Sequence, residues 1–129
     1  MNIAPIAAMG LLATGLIAAV PADAASLRLR CETRSSPLRS KISVDGRNVN
    51  PNALYTARVI SGTAQRTSRP RSAEGDEVEF DFDSNPNDIR AGATAIPTTF
   101  IKNRSVRAVI FNASGQVVAG PTLASCEAK

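Results

Sequence analysis

The feature that most constrains the fold is a strict alternation of apolar and polar residues along several short segments. The alternation is clearest in residues 27–32, 41–45 and 77–83. Successive side chains of a β-strand point to opposite faces, so this pattern predicts strands that cover a core with one face and meet water with the other. No stretch after the first 24 residues repeats its apolar positions with the 3.6-residue period of a helix. The chain is therefore predicted to be all-β.

Further strand patterns occur at 54–61, 105–111, 116–120 and 122–127. Together they predict six to seven short strands and a small antiparallel β-sandwich of immunoglobulin-like architecture, with a small closed barrel as the alternative. Asp45-Gly46 is a strong turn signal. Residues 61–76 are too polar for a core strand and predict a mobile loop or the exposed end of a long hairpin. Residues 84–97 predict a crossover between the two sheets.

The N-terminus has the pattern of a secretory signal peptide. Residues 3–20 carry no charge, Pro21 breaks any helix, and Ala22-Asp23-Ala24 offers small side chains at both positions that a signal peptidase reads. We predict a signal peptide at 1–24, cleaved after Ala24 or Ala25, and one β-sandwich domain at 25–129. An uncleaved membrane anchor is the alternative. The predicted location is secreted or periplasmic, without membrane insertion after cleavage.

The only two cysteines, Cys31 and Cys126, lie near the two ends of the predicted mature chain. An even number of cysteines in an exported chain predicts one disulfide formed in an oxidising compartment. Closing a loop of nearly the whole domain stabilises it by roughly 4–5 kcal/mol on the chain-entropy model. No Cys-x-x-Cys spacing is present to lower a thiol pKa, so the predicted role is structural.

The residue types of the chain argue against catalysis. Histidine, the commonest general base and metal ligand, is absent. Cysteines held in a disulfide cannot act as nucleophiles. Paired carboxylates of the kind that cleave glycosides are available, but one Tyr and four Phe are few for lining a sugar cleft. We predict a protein that is not an enzyme, with a small hydrolase that uses paired carboxylates as the third hypothesis.

Most of the eleven acidic residues lie within residues 74–88, in a chain of net charge +4. In the second half of this acidic segment, oxygen-bearing side chains recur at every second position, as in the first half of a calcium loop. The candidate ligands are Asp81, Asp83, Asn85, Asn87 and Asp88. Pro86 stands where a calcium loop needs glycine, so the simpler interpretation is the polar face of a strand followed by a turn. We predict no cofactor, with calcium as the alternative.

Arg66, Arg69 and Arg71 form the opposite pole of charge, within the polar segment 61–76. A basic loop can bind nucleic acid, anionic lipid or an acidic polymer. No aromatic residues are interleaved to stack on bases, so nucleic acid is not predicted as a partner. We predict a protein or an anionic cell-surface polymer instead.

The primary hypothesis is an exported, non-catalytic β-sandwich with a binding or structural role, which docks electrostatically on its partner. A calcium-stabilised extracellular module is the alternative.

Overall fold

The structure is a computed structural model that describes residues 24–129. The predicted signal peptide, residues 1–24, lies outside this range except for Ala24. The described chain consists of ten strands and one short helix: β1 (Ser26–Ser35), β2 (Leu38–Arg47), β3 (Leu54–Ser61), β4 (Ala64–Thr67), β5 (Arg71–Ser72), β6 (Glu77–Asp83), α1 (Pro86–Arg90), β7 (Thr94–Ala95), β8 (Ser105–Asn112), β9 (Val117–Ser125) and β10 (Glu127–Ala128). Six of these strands are long, and β4, β5, β7 and β10 have only two to four residues.

The strands form two sheets. The first sheet has the order β10-β1-β2-β6-β7, and the second has the order β4-β3-β8-β9, with β5 also paired to β3. Neighbouring strands are antiparallel except for two short edge pairs, β1–β10 and β6–β7, which are parallel. The predicted all-β class and antiparallel sandwich are confirmed, because the sheets are separate layers rather than one closed barrel.

The inner faces of the two sheets supply the core that the alternation predicts. On the first sheet the inward side chains belong to β2 and β6, and the second sheet faces them with residues of β3 and β8. The largest fully buried apolar members are Ile42, Val44, Phe80, Phe82, Val59, Val106 and Ile110. Val, Ile and Phe suit these positions since β-branched and aromatic side chains pack well on a pleated surface.

One local prediction is wrong, and another is narrowed to one of its two alternatives. The predicted turn at Asp45-Gly46 is wrong: β2 continues to Arg47, and the chain turns after it. Gly46 instead lies on the inner face, where a Cβ would come within 2.9 Å of Ile110 Cδ1. Residues 61–76 are not one mobile loop, because β4 forms a hairpin with β3 across Gly62 and β5 adds a second pairing. The hairpin alternative was the correct one.

The two flanks of the sandwich differ. On one flank β1 packs against β9, and Cys126 lies between β9 of the second sheet and β10 of the first. Cys126 forms the predicted disulfide with Cys31 of β1, so this flank is closed covalently. On the other flank the first sheet ends at β6 and β7 and the second at β4 and β5. The crossover at 84–97 contains α1 and β7 and leads the chain from this open flank towards β8.

Candidate functional site

The open flank contains a cleft of about 530 Å³ between the edges of the two sheets. One wall is the stretch Arg66–Arg71, which joins β4 to β5. The other wall is the outer edge of β6 at Asp81 together with residues 92–95, and Phe80 and Ile89 form its apolar part. The cleft thus brings the predicted basic loop and one residue of the acidic segment to the same place.

Two of the three arginines occupy positions where the fold would otherwise place core residues. Arg66 is opposite Val59 and Arg71 is opposite Tyr55 in the β3 ladder. Residues directly opposite each other share a face of the sheet, and Val59 and Tyr55 are buried core residues. Arg66 and Arg71 therefore lie on the inner face of the second sheet, yet both are exposed. Both lie on the edge strands of the second sheet and line the cleft.

Ser68 holds the connection between β4 and β5. Its backbone amide donates to the carbonyl of Ala57 at 2.8 Å, and its hydroxyl accepts from the Ala57 amide at 2.9 Å. The same hydroxyl donates to the carbonyl of Arg69 at 2.9 Å. A side chain here replaces the backbone carbonyl that would continue the ladder, so the chain bulges outward at Arg69-Pro70. Ser68 was not singled out from the sequence, in which it resembles any other serine of a polar loop.

The five calcium candidates do not converge on one point. Asp81 lies on the outer face of β6 and accepts from the Ser43 hydroxyl at 3.3 Å. Asn85 caps α1, since its side-chain oxygen accepts from the amides of Asn87 and Asp88. The Asn87 side chain accepts from Arg90. Among residues 24–129, no three or more His, Cys, Asp or Glu side chains are grouped so as to hold a metal ion.

Asp83 is bound by an arginine that sequence reasoning missed. Arg39 of β2 donates from Nε to Asp83 Oδ1 at 2.9 Å and from Nη2 to Asp83 Oδ2 at 2.7 Å. The same Nη2 reaches Oδ2 of Asp88 on α1. Asp83 was predicted to face water, but it is only 2% exposed because Arg39 and the turn into α1 cover it. The guanidinium thus already supplies a positive charge between these two carboxylates.

The hydrogen bonds at Asp83 also determine its protonation. Burial raises the pKa of the Asp83 carboxyl, but the bonds from Arg39 and from the Asn85 amide outweigh burial and hold the pKa below its ordinary value. Asp83 is therefore a charged, structural carboxylate that joins β2, β6 and α1. Its lowered pKa makes it unsuited to act as a proton donor near neutral pH.

The cleft does not assemble the carboxylate pair that a glycoside-cleaving mechanism needs. Asp81 is the one carboxylate among the residues that line it. Asp83 and Asp88, two carboxylates of the acidic segment that share a partner, are both bound by Arg39. Three arginines with one carboxylate and an apolar base make a surface suited to binding an anion.

Residues 24–129 contain no helix that is long and apolar enough to cross a bilayer. Comparisons with protein-family models, with curated proteins and with solved structures find no match to this chain.

Proposed function

We propose that this protein is an exported, non-catalytic binding domain that docks on an anionic partner through the cleft of its open flank. The observation that carries the proposal is the position of Arg66 and Arg71 on the inner face of the second sheet. Side chains at such positions are normally apolar, because they pack against the facing sheet. Arginines at these inner-face positions are explained if a negatively charged ligand covers them.

The arrangement of charge supports an electrostatic mode of docking. Arg66, Arg69 and Arg71 lie within one short connection, and no carboxylate within residues 24–129 forms an ion pair with any of them. Arginine binds carboxylate, sulfate and phosphate groups through two parallel hydrogen bonds. A cleft lined by one sign of charge also raises the association rate with a partner of opposite sign. The disulfide fits an oxidising compartment, such as the periplasm or the cell exterior.

The proposal is tested by the rate at which the protein associates with two anionic probes, poly-L-glutamate and dextran sulfate. The variant R66E/R71E is compared with R28E/R107E, which makes the same change in net charge on the outer faces of β1 and β8. R66E/R71E is expected to lower the association rate by about tenfold at low salt and to flatten its salt dependence. The control variant R28E/R107E should change the association rate and its salt dependence far less.

A response that is equal in the two variants would mean that only net charge matters. In that case the cleft is not the binding site.

A further inference from the structure

The edge of β6 has unpaired backbone groups at Glu79, which lies with Arg71 in a smaller hollow beside the cleft. The amide of Ser84 bonds to the carbonyl of Ser40, which sets the alternation of the β2–β6 ladder. In that alternation the backbone groups of Glu77, Glu79, Asp81 and Asp83 point away from β2. The groups of Glu77 bond to Glu74, and the carbonyl of Asp83 bonds to Ile96. Between them, the amide and carbonyl of Glu79 have no partner within residues 24–129.

Beside Glu79 the first sheet therefore has no further strand, whereas the second sheet continues at this flank with β4 and β5. A strand added beside Glu79 would lie in the hollow that Glu79 and Arg71 line, and it would reach the cleft at Asp81 and Arg66. Alternate side chains of that strand would point inward, towards Arg66 and Arg71. The others would point to the outer face, beside Glu79 and Asp81. Glu79 is opposite Asp45 on β2. Arg30 forms an ion pair with Asp45, but no cation within residues 24–129 forms an ion pair with Glu79.

We propose that an extended segment of a partner polypeptide adds to β6 as a short strand, with acidic side chains directed at Arg66 and Arg71 and basic side chains directed at Glu79 and Asp81. This inference rests on the proposed function and specifies its partner. The backbone of the segment supplies a donor and an acceptor for Glu79, and its alternating charges match the arginines on one side and Glu79 and Asp81 on the other.

Two other occupants match these features less well. An anionic polysaccharide would neutralise the arginines, but it has no amide to pair with the Glu79 carbonyl, and its negative charge would meet Glu79 and Asp81. A second copy of the chain, paired through its own β6, would place glutamates beside glutamates, which is unfavourable. The polypeptide segment can pair with the backbone of Glu79, and its side chains can match both the arginines and the two acidic residues.

The test uses the chain expressed from its full sequence and purified as the host processes it, with the probe peptide acetyl-(Lys-Glu)₄-amide. This peptide has no net charge, so general attraction to a basic protein is removed. Its control, acetyl-Lys₄-Glu₄-amide, has the same composition but does not separate the two charges onto opposite faces of a strand. The alternating peptide is expected to bind about tenfold more tightly than the block peptide. The variant R66E/R71E should remove this difference, whereas R28E/R107E should keep it.

Backbone pairing is tested separately, with peptides that carry N-methyl groups on alternate residues. Only alternate amides of an added strand face its neighbour. Methylation of one set should therefore abolish binding, and methylation of the other set should leave it intact. Hydrogen exchange of the Glu79 amide should be fast in the free protein and slowed severalfold by the unmodified peptide.

Three results would overturn the inference. Equal affinity for the alternating and block peptides, with dextran sulfate still bound through the arginines, would exclude strand addition and leave the proposed function intact. Binding of neither peptide nor either anionic polymer would overturn both proposals. A dimer that protects the Glu79 amide without peptide would show that a second copy occupies the edge.

Discussion

Arg39 and Asp83 are joined by two parallel hydrogen bonds, although they belong to different strands and lie 44 positions apart in the sequence. The Asp83 side chain is 2% exposed and that of Arg39 is 13% exposed. A charge held this far from water depends on its partner. Removal of one member of a buried pair is much more costly than loss of the pair as a whole.

Replacement of Arg39 by methionine is expected to lower the free energy of unfolding by about 3–5 kcal/mol, because the Asp83 carboxylate stays buried without its positive partner and keeps only the hydrogen bond from the Asn85 amide. Urea denaturation measures this change. The matched control is Arg30→Met, which removes an exposed pair with Asp45 at 3.5 Å and should cost about 0–1 kcal/mol. The double variant R39M/D83N should recover part of the loss. If R39M were as stable as the control, the pair would not hold β2 and β6 together.

Stability is expected to fall in acid because of Asp83. Its pKa is lowered in the folded protein, so the unfolded chain takes up a proton at a higher pH than the folded one. The stabilisation is complete above the ordinary aspartate pKa of about 4, and it is lost as pH falls through the lower folded pKa. Unfolding free energies measured from pH 7 down to pH 2 should show this decline. It should be shallower in D83N, and an unchanged slope in that variant would assign the acid sensitivity to other groups.

Calcium is expected not to change the thermal midpoint of unfolding. The oxygens of Asp83 and Asp88 bind Arg39, and Asn85 caps α1, so these ligands are already engaged. Melts in calcium chloride and in chelator should superimpose. A bound ion at one hundred times its dissociation constant would add about 2.7 kcal/mol. A rise of that size, lost in D81N/D88N, would establish the calcium-stabilised module instead.

Removal of the disulfide is expected to lower stability by roughly 3–5 kcal/mol, since Cys31 and Cys126 close a loop of 95 positions. The variant C31A/C126A, unfolded in urea beside the oxidised protein, measures this loss. A reduced wild-type sample is the control for the cavity that alanine leaves. A loss below about 1 kcal/mol in both samples would mean that packing of β1 against β9 alone closes this flank.

Ser68→Ala is expected to weaken the binding of anionic probes without removing any charge. The substitution leaves the Ala57 amide without its side-chain acceptor and releases the carbonyl of Arg69. The cost in stability should be about 1–3 kcal/mol. Threonine, which keeps a hydroxyl, should restore both stability and binding. If alanine lowered stability but left the association rate unchanged, Ser68 would not position the arginines.

The alternation of residues was sufficient to predict the sheets, because a period of two determines which side chains face the core. It identified Val78, Phe80 and Phe82 as buried, and they are. It could not predict the partner of Asp83, because pairing depends on strand order, and only the fold shows that β6 lies beside β2, which carries Arg39. Gly46 was misread for a related reason: Asp-Gly favours a turn locally, but the pairing of β2 with both neighbours extends the strand through it.

The position of the Cys31–Cys126 bond has a mechanical consequence. Two sheets that are covalently linked along one side can separate more readily along the opposite side. Here the fastened side is the one where β1 meets β9, and the free side is the one that carries the arginines. We therefore expect the distance between β6 and β4 to vary more readily than the distance between β1 and β9, so that partner segments with side chains of different sizes can be accommodated there.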